Sequence, residues 1–102
     1  ETAQPMEIVR HYNNKGVMTA KTGDLKTAII EYQRALRFYP KFKENYRIYF
    51  NIALAYYNQK NRDGLENAKV NLEKAIEMKP DFEKANKTLE TIKATLAGKK
   101  AS

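Results

Sequence analysis

Apolar side chains return every three or four residues along five stretches of the chain, which is the spacing of one face of an α-helix. No stretch alternates between apolar and polar residues for long enough to form a β-strand. The pattern therefore predicts an all-α fold of five helices. In chain order, the recurring positions are Ile8, Val9, Tyr12, Gly16, Met18 and Thr19; Leu25, Ala28, Ile29, Tyr32, Leu36 and Tyr39; Tyr46, Tyr49, Phe50, Ala53, Leu54 and Tyr57; Leu65, Ala68, Leu72, Ala75 and Ile76; and Phe82, Ala85, Leu89, Ile92 and Leu96.

Proline, glycine and capping residues separate these stretches. Pro5 can open the first helix, because the N–H that proline lacks has no partner in a first turn. Gly23 suits the left-handed conformation that ends a helix, and Asp24 can cap the helix that follows. Pro40 and Pro80 end the second and fourth helices, since proline cannot continue a helix. The predicted helices are thus short and joined by brief turns.

The chain contains an internal repeat. The segment RFYPKF at residues 37–42 returns as EMKPDF at residues 77–82. Positions of the second helix agree in identity or size with positions 40 residues later, and positions of the first helix agree with positions 37 residues later. The pairs are Ala28 and Ala68, Tyr32 and Leu72, Ala35 and Ala75, Pro40 and Pro80, Phe42 and Phe82, Tyr12 and Tyr49, and Gly16 and Ala53. We therefore predict two similar helical hairpins followed by a fifth helix.

These residues resemble the tetratricopeptide repeat, whose helix pair reads W-x2-L-G-x2-Y, then A-x3-F, then P. The second half fills this pattern with Tyr49, Ile52, Ala53, Tyr56, Ala68, Leu72, Ala75 and Pro80. The first half has Tyr12, Lys15, Gly16, Thr19, Ala28, Tyr32, Ala35 and Pro40 at the same places. The resemblance covers about residues 9–97 and implies antiparallel helical hairpins stacked as a short right-handed solenoid.

The resemblance also predicts the organisation of residues 1–102 as a single domain. The first repeat would span residues 9–42, the second, lengthened repeat 46–82, and a capping helix 83–97, with a basic tail at 98–102. Because the chain starts at Glu1 rather than methionine, we expect a fragment of a longer protein. Two repeats are fewer than the roughly three that an isolated stack needs. The fifth helix, the parent protein or a second copy would then supply the missing cover.

Two residues of the first helix depart from the family pattern. Lys15 and Thr19 stand where the family prefers large apolar side chains. We therefore expect the first helix to pack less tightly than the family pattern implies.

Composition and charge restrict the class of protein. Hydrophobic residues make up 42% and charged residues 30%, which is typical of a folded globular domain. The chain has no cysteine, which excludes disulfides, a thiol nucleophile and a cysteine zinc site. The net charge of +7 favours an acidic partner. No apolar run is long enough to span a membrane, and we expect a cytoplasmic location, with the periplasm as the alternative.

In this family the first helix of each hairpin lines a concave groove that holds a peptide, and the resemblance implies such a groove here. An apolar floor with a basic rim suits a protein or peptide partner that carries both hydrophobic anchors and carboxylates. Whether Phe50 is exposed in the groove or buried in the core remains open at this point. The predicted groove residues are Arg10, Asn13, Val17, Lys21, Arg47, Phe50, Leu54, Tyr57, Asn58, Lys84 and Lys87, with Thr91 beside them.

Three other functions are weighed against peptide binding. The family subset that clamps the acidic tails of chaperones is disfavoured, because Asn13 and Val17 replace its lysine and asparagine, although Asn51 matches. Nucleic-acid binding is consistent with the positive charge, but the basic residues are mixed with acids in the helices instead of gathered on one recognition helix. Self-association as a homodimer through exposed groove aromatics is the third possibility.

Catalysis is not expected. His11 is the only histidine and the chain has no cysteine, so the sequence offers no pair of nucleophile and base and no metal cluster. It also has no glycine-rich phosphate loop. Glu66, Glu73 and Glu77 alternate with lysines at helical spacing, which is typical of a solvated helix face. We expect neither a cofactor nor a metal.

Overall fold

The computed structural model describes residues 4–98, and this part of the chain forms five α-helices and no strand. The helices are α1 (Pro5–Lys21), α2 (Leu25–Phe38), α3 (Asn45–Tyr57), α4 (Arg62–Met78) and α5 (Glu83–Leu96). Each helix packs mainly on its neighbours in the chain, and the molecule measures 58 × 30 × 17 Å. The predicted all-α stack of hairpins is therefore confirmed. Of the predicted basic tail, Lys99, Lys100 and the two residues after them lie outside the described residues.

The helix ends follow the predicted capping residues. Pro5 occupies the first turn of α1. Gly23 has a φ of +92°, a left-handed conformation that glycine adopts without strain. The Asp24 carboxylate then accepts a hydrogen bond of 3.2 Å from the backbone N–H of Thr27 and caps α2. The Asn61 side chain caps α4 in the same way, accepting from the backbone N–H of Gly64 at 2.6 Å.

Within each hairpin, a small residue on one helix faces a large residue on the other. A Cβ atom at Gly16 would lie 2.5 Å from the ring of Tyr32, so α1 and α2 approach closely because position 16 has no side chain. The equivalent positions of the second hairpin are Ala53 and Leu72, which share one core cluster. In the second hairpin, alanine adds a methyl group where the first has glycine, and the residue of the other helix is leucine, which is smaller than tyrosine.

The turns between the hairpins are fixed by asparagine side chains. The Asn45 amide donates to the carbonyl oxygens of Tyr39 and Pro40, at 2.8 and 3.2 Å. The Asn86 amide donates to the carbonyl oxygens of Pro80 and of Phe82, the N-cap residue of α5, at 3.1 and 3.0 Å. Each asparagine thus binds the carbonyl oxygen of a proline, and the two prolines, Pro40 and Pro80, are at equivalent positions of the repeat.

The recurring apolar positions of α3 do not form one buried face. Ala53 is buried as expected, but Ile48, Ile52 and Ala55 are also buried, while Tyr46, Tyr49, Phe50, Leu54 and Tyr57 are only half-buried. The reason is that α3 packs on α2 on one side and on α4 on another. Its apolar residues therefore surround much of the helix and do not form a single stripe.

The first helix also differs from the prediction at Met18, which is 65% exposed instead of facing the core. Lys15 stands at an apolar position of the repeat, and its ammonium lies 3.9 Å from the carboxylate of the buried Glu31. Arg34 approaches the same carboxylate at 3.7 Å. An ion pair therefore replaces an apolar contact on the outer side of the first hairpin.

The stability of the first hairpin is expected to fall at alkaline pH because of Tyr32. Burial removes the phenol of Tyr32 from water and raises its pKa above the ordinary value of 10.0. The unfolded chain loses this proton near pH 10, whereas the folded chain retains it. The stabilisation is therefore complete below pH 10 and is lost as the pH rises through the folded-state pKa.

The measurement is urea unfolding of the wild type and of Tyr32→Phe between about pH 8 and pH 11. We expect the free energy of unfolding of Tyr32→Phe to decline less steeply above pH 10. If the free energy of unfolding declined equally with pH in the two proteins, the raised pKa of Tyr32 would not be the cause of the decline.

Candidate functional site

One depression on a face of the stack has an aromatic floor and a volume of about 560 Å³. Tyr46 and Phe50 of α3 line it together with Phe82, the residue that caps α5. The ring centroids of Phe50 and Phe82 are 4.9 Å apart, and Tyr46 meets Phe82 edge to face at 5.4 Å. All three rings are half-buried. The floor is thus anchored in the core on one side and open to a ligand on the other.

Charged side chains form the rim of this aromatic depression. Arg47 and Lys79 lie over the ring of Tyr46, at 5.7 and 5.5 Å from its centroid. A hydrogen bond from Arg47 to the Tyr46 hydroxyl raises the pKa of Arg47 above its usual high value, so this guanidinium stays charged. Lys79 also pairs with Asp81 at 3.3 Å. Lys84 lines the rim as well, next to the acid Glu83.

A second, smaller depression of about 130 Å³ adjoins the first and shares Asn13 and Arg47 with it. Arg10 lines its α1 side and Glu44 its α3 side. Two guanidinium groups therefore face the same small space, together with one carboxylate. Because planar guanidinium groups bind carboxylates through paired hydrogen bonds, this depression suits an acidic group of a ligand.

A hydrogen bond between two asparagines joins α1 to α3 in the middle of this face. The Asn51 amide donates to the side-chain oxygen of Asn13 at 3.0 Å. Asn51 also lines the next depression, of about 250 Å³, with Val17, Lys21 and Leu54. Side-chain amides can donate to and accept from an extended peptide backbone. This pair is therefore suitably placed between the aromatic depression and the apolar one.

The face ends in a fourth depression of about 560 Å³ between the α3–α4 turn and α5. Tyr57, Leu65 and Thr95 line it, and Asn58 is shared with the depression before it. Shared lining residues thus connect all four depressions into one continuous surface along α1, α3 and α5, which we call the groove.

Most of the residues predicted from the sequence lie in this groove. Lys87 and Thr91 are exposed on α5 but line none of the four depressions. The question of Phe50 is resolved by its dual position, since it packs on the second core cluster and also lines the groove. The predicted residues that line the groove are Arg10, Asn13, Val17, Lys21, Arg47, Phe50, Leu54, Tyr57, Asn58 and Lys84.

The sequence prediction of the groove left out two aromatic members, Tyr46 and Phe82, which it named only as recurring apolar positions of the third and fifth helices. Tyr46 lies one helical turn before Phe50, so the helical spacing could have identified it. Phe82 belongs to another hairpin junction, and its approach to Phe50 could not be read from local spacing. Together these residues give the groove a larger aromatic floor than predicted.

His11, the only histidine of the sequence, lines none of the four depressions. His11 is exposed, with its ring edge to face with Tyr12 at 5.1 Å. Within residues 4–98, no group of three or more histidine or acidic side chains is arranged to hold a metal ion. None of the five helices is both long and apolar enough to cross a membrane.

Comparison with known proteins agrees with the repeated hairpin architecture. The sequence model of the tetratricopeptide repeat matches residues 9–42 and again residues 46–82. Together the two matches cover well over half of the chain. Among curated proteins, no significant match is found.

Proposed function

This chain belongs to the tetratricopeptide repeat family, and we propose that it is a noncatalytic module whose groove binds a peptide or a segment of a partner protein. Repeats of this family generally mediate protein–protein interaction, and the resemblance drawn from the sequence is confirmed at this level. The observation that carries the proposal is the aromatic depression between α3 and α5, whose floor is apolar and whose rim is charged.

The groove favours a partner with hydrophobic and acidic side chains. Tyr46, Phe50 and Phe82 offer an apolar surface that a large side chain of the ligand can cover. Arg47 is exposed at the rim, while Asp81 is already paired with Lys79. A ligand carboxylate would therefore meet an available cation beside the apolar anchor. The net charge of +7 adds a long-range attraction for acidic segments.

We expect the double variant Phe50→Ala/Arg47→Glu to lose most of its affinity for such a ligand. The probe is a fluorescent peptide of about ten residues composed of glutamate, leucine and phenylalanine, titrated by anisotropy at low and moderate salt. Removing one aromatic anchor and reversing one charge should weaken binding about tenfold to a hundredfold. Far-ultraviolet circular dichroism checks that the helices remain.

The matched control for this titration is Val70→Ala, because Val70 is exposed on α4 and does not line the groove. Its affinity should equal that of the wild type. Equal binding by the wild type and the double variant would overturn the groove assignment. A short DNA duplex in parallel tests the nucleic-acid alternative, since binding that fades steeply with salt and ignores Phe50 would place the function on the basic surface. The cytoplasmic location stays a prediction.

A further inference from the structure

Acidic and basic residues alternate in a repeated pattern along the helices that line the groove. A cation stands at one equivalent position of α1, α3 and α5, and an acid stands three residues before each cation. Successive pairs are 37 residues apart, the same offset that relates the first helices of the two repeats. In chain order, the pairs are Glu7 and Arg10, Glu44 and Arg47, and Asp81 and Lys84.

The middle acid belongs to the small depression in which two of these cations meet. Arg10 and Arg47 line this depression from α1 and α3, together with Glu44. Glu44 is the residue before α3, and its carboxylate makes no capping hydrogen bond to that helix. The pKa of Arg47 is raised chiefly by the hydrogen bond to Tyr46 and to a smaller extent by the charge of Glu44. The carboxylate of Glu44 is thus close enough to act on an anion held beside Arg47.

The floor of this small depression is apolar. Val9 and Ile48 lie beneath it with exposures of only 2% and 3%, and Phe42 is half-buried beside them. Charges that lie against an apolar wall are screened less than charges in open water. The two guanidinium groups and the one carboxylate therefore determine together which anion is bound most tightly.

The charge balance of the site favours an anion with a single charge. The residues that line the small depression have a net charge of +1, and those of the adjoining aromatic depression also have a net charge of +1. A carboxylate would neutralise such a site. A phosphate monoester carries a charge of about −1.5 to −2 at neutral pH and would leave excess negative charge beside Glu44. Because two arginines alone would also bind phosphate well, Glu44 is the group that separates the two anions.

We propose that the depression between Arg10 and Arg47 is the acid-binding subsite of the groove, and that Glu44 makes it select a carboxylate over a phosphate group. This inference rests on the proposed function, since it names the group that the groove binds beside its aromatic anchor. The partner is then a segment in which an aspartate or glutamate lies close to a large apolar side chain. A phosphorylated serine at the acidic position does not replace that carboxylate.

The test compares three fluorescent peptides of about ten residues that differ at one position. Each carries phenylalanine and leucine anchors among serine and glycine, and the variable residue is glutamate, glutamine or phosphoserine. It stands two positions from the phenylalanine, because such residues share one face of an extended chain. Anisotropy titrations use moderate salt, which screens the long-range attraction of the net charge of +7. The wild type should bind the glutamate peptide about tenfold more tightly than the glutamine peptide and about threefold more tightly than the phosphoserine peptide.

Two variants separate the roles of the cations and the acid. Arg10→Gln should remove most of the preference for glutamate over glutamine, because a single guanidinium remains. Glu44→Gln should strengthen binding of the phosphoserine peptide about tenfold and that of the glutamate peptide about threefold, since the lost repulsion acted on two charges instead of one. The matched controls are Arg37→Gln and Glu73→Gln, which make the same changes of charge at exposed residues outside the groove lining. They should alter each affinity by less than about twofold.

The outcomes distinguish this inference from the proposed function. Equal binding of the glutamate and glutamine peptides by the wild type would overturn the acid-binding subsite, as would an Arg10→Gln variant that keeps the preference for glutamate. Tighter binding of the phosphoserine peptide by the wild type, or no gain for that peptide in Glu44→Gln, would overturn the role of Glu44. If all three peptides bound alike and lost affinity in Phe50→Ala, the groove would remain the binding surface and only this inference would fail. If none of them bound, the proposed function would fail with it.

Discussion

Replacing Gly64 with alanine is expected to destabilise the protein by about 2–4 kcal/mol, although alanine is the better helix former. Gly64 is buried in the first turn of α4, where the helix passes close to the end of α3. A Cβ atom at this position would clash with the backbone carbonyl of Tyr56 and lie 3.1 Å from the capping oxygen of Asn61. Backbone cannot change rotamer to relieve the contact, so the two helices would have to separate or the cap would be lost.

The measurement is chemical unfolding of Gly64→Ala against the wild type, followed by circular dichroism. Asn67→Ala is the matched control, because Asn67 is exposed one turn further along the same helix and its replacement also increases helix propensity. The control should be neutral or slightly stabilising. If Gly64→Ala behaved like this control, the close approach of α3 and α4 at Gly64 would be refuted.

The helices and their register could be predicted because most of them bury one side only. On α4, Ala68, Leu72 and Ala75 recur at helical spacing and are all fully buried, as the pattern indicates. The capping residues Asp24 and Pro5 act locally, so their effects do not depend on the rest of the fold. Where the structure is decided by neighbours in sequence, the sequence sufficed.

The buried face of α3 could not be predicted in the same way. Ile52 and Ala53 are adjacent in the chain, point in different directions, and are both buried, because different helices cover them. A helix covered on two sides has no single apolar stripe, so the spacing of its residues does not identify what faces solvent. The prediction for Met18 failed for the opposite reason. Its apolar character suggested burial, but no helix of the described part of the chain covers it.

The groove was predictable only as far as the family resemblance carried residue positions from one helix to another. That resemblance assigned Arg47 and Phe50 to the groove, where both lie. The contact of Phe82 with Phe50 joins residues of two repeats, and no periodicity within one helix encodes it. The depth and the charge balance of a site formed between helices therefore could be known only from the structure.

Replacing Leu72 with alanine is expected to lower the free energy of unfolding by about 2–5 kcal/mol. Leu72 is fully buried in the core cluster that joins α3, α4 and α5. The loss combines the transfer free energy of the missing atoms with the cavity that they leave. Because a domain of this size has a total stability of about 5–15 kcal/mol, this loss is a large fraction of the total and should lower the midpoint of unfolding by urea or heat.

The location of the effect distinguishes a stacked array from a single cooperative core. Each helix packs mainly on its neighbours in the chain, so a defect at Leu72 should weaken α4 and α5 more than α1. Hydrogen exchange should therefore show a greater loss of amide protection in the second hairpin than in the first. Val70→Ala, an exposed truncation two residues away on the same helix, should change stability by less than about 0.5 kcal/mol. Equal effects of the two truncations would place Leu72 outside the core, and uniform loss of protection along the chain would mean that the two hairpins unfold as one unit.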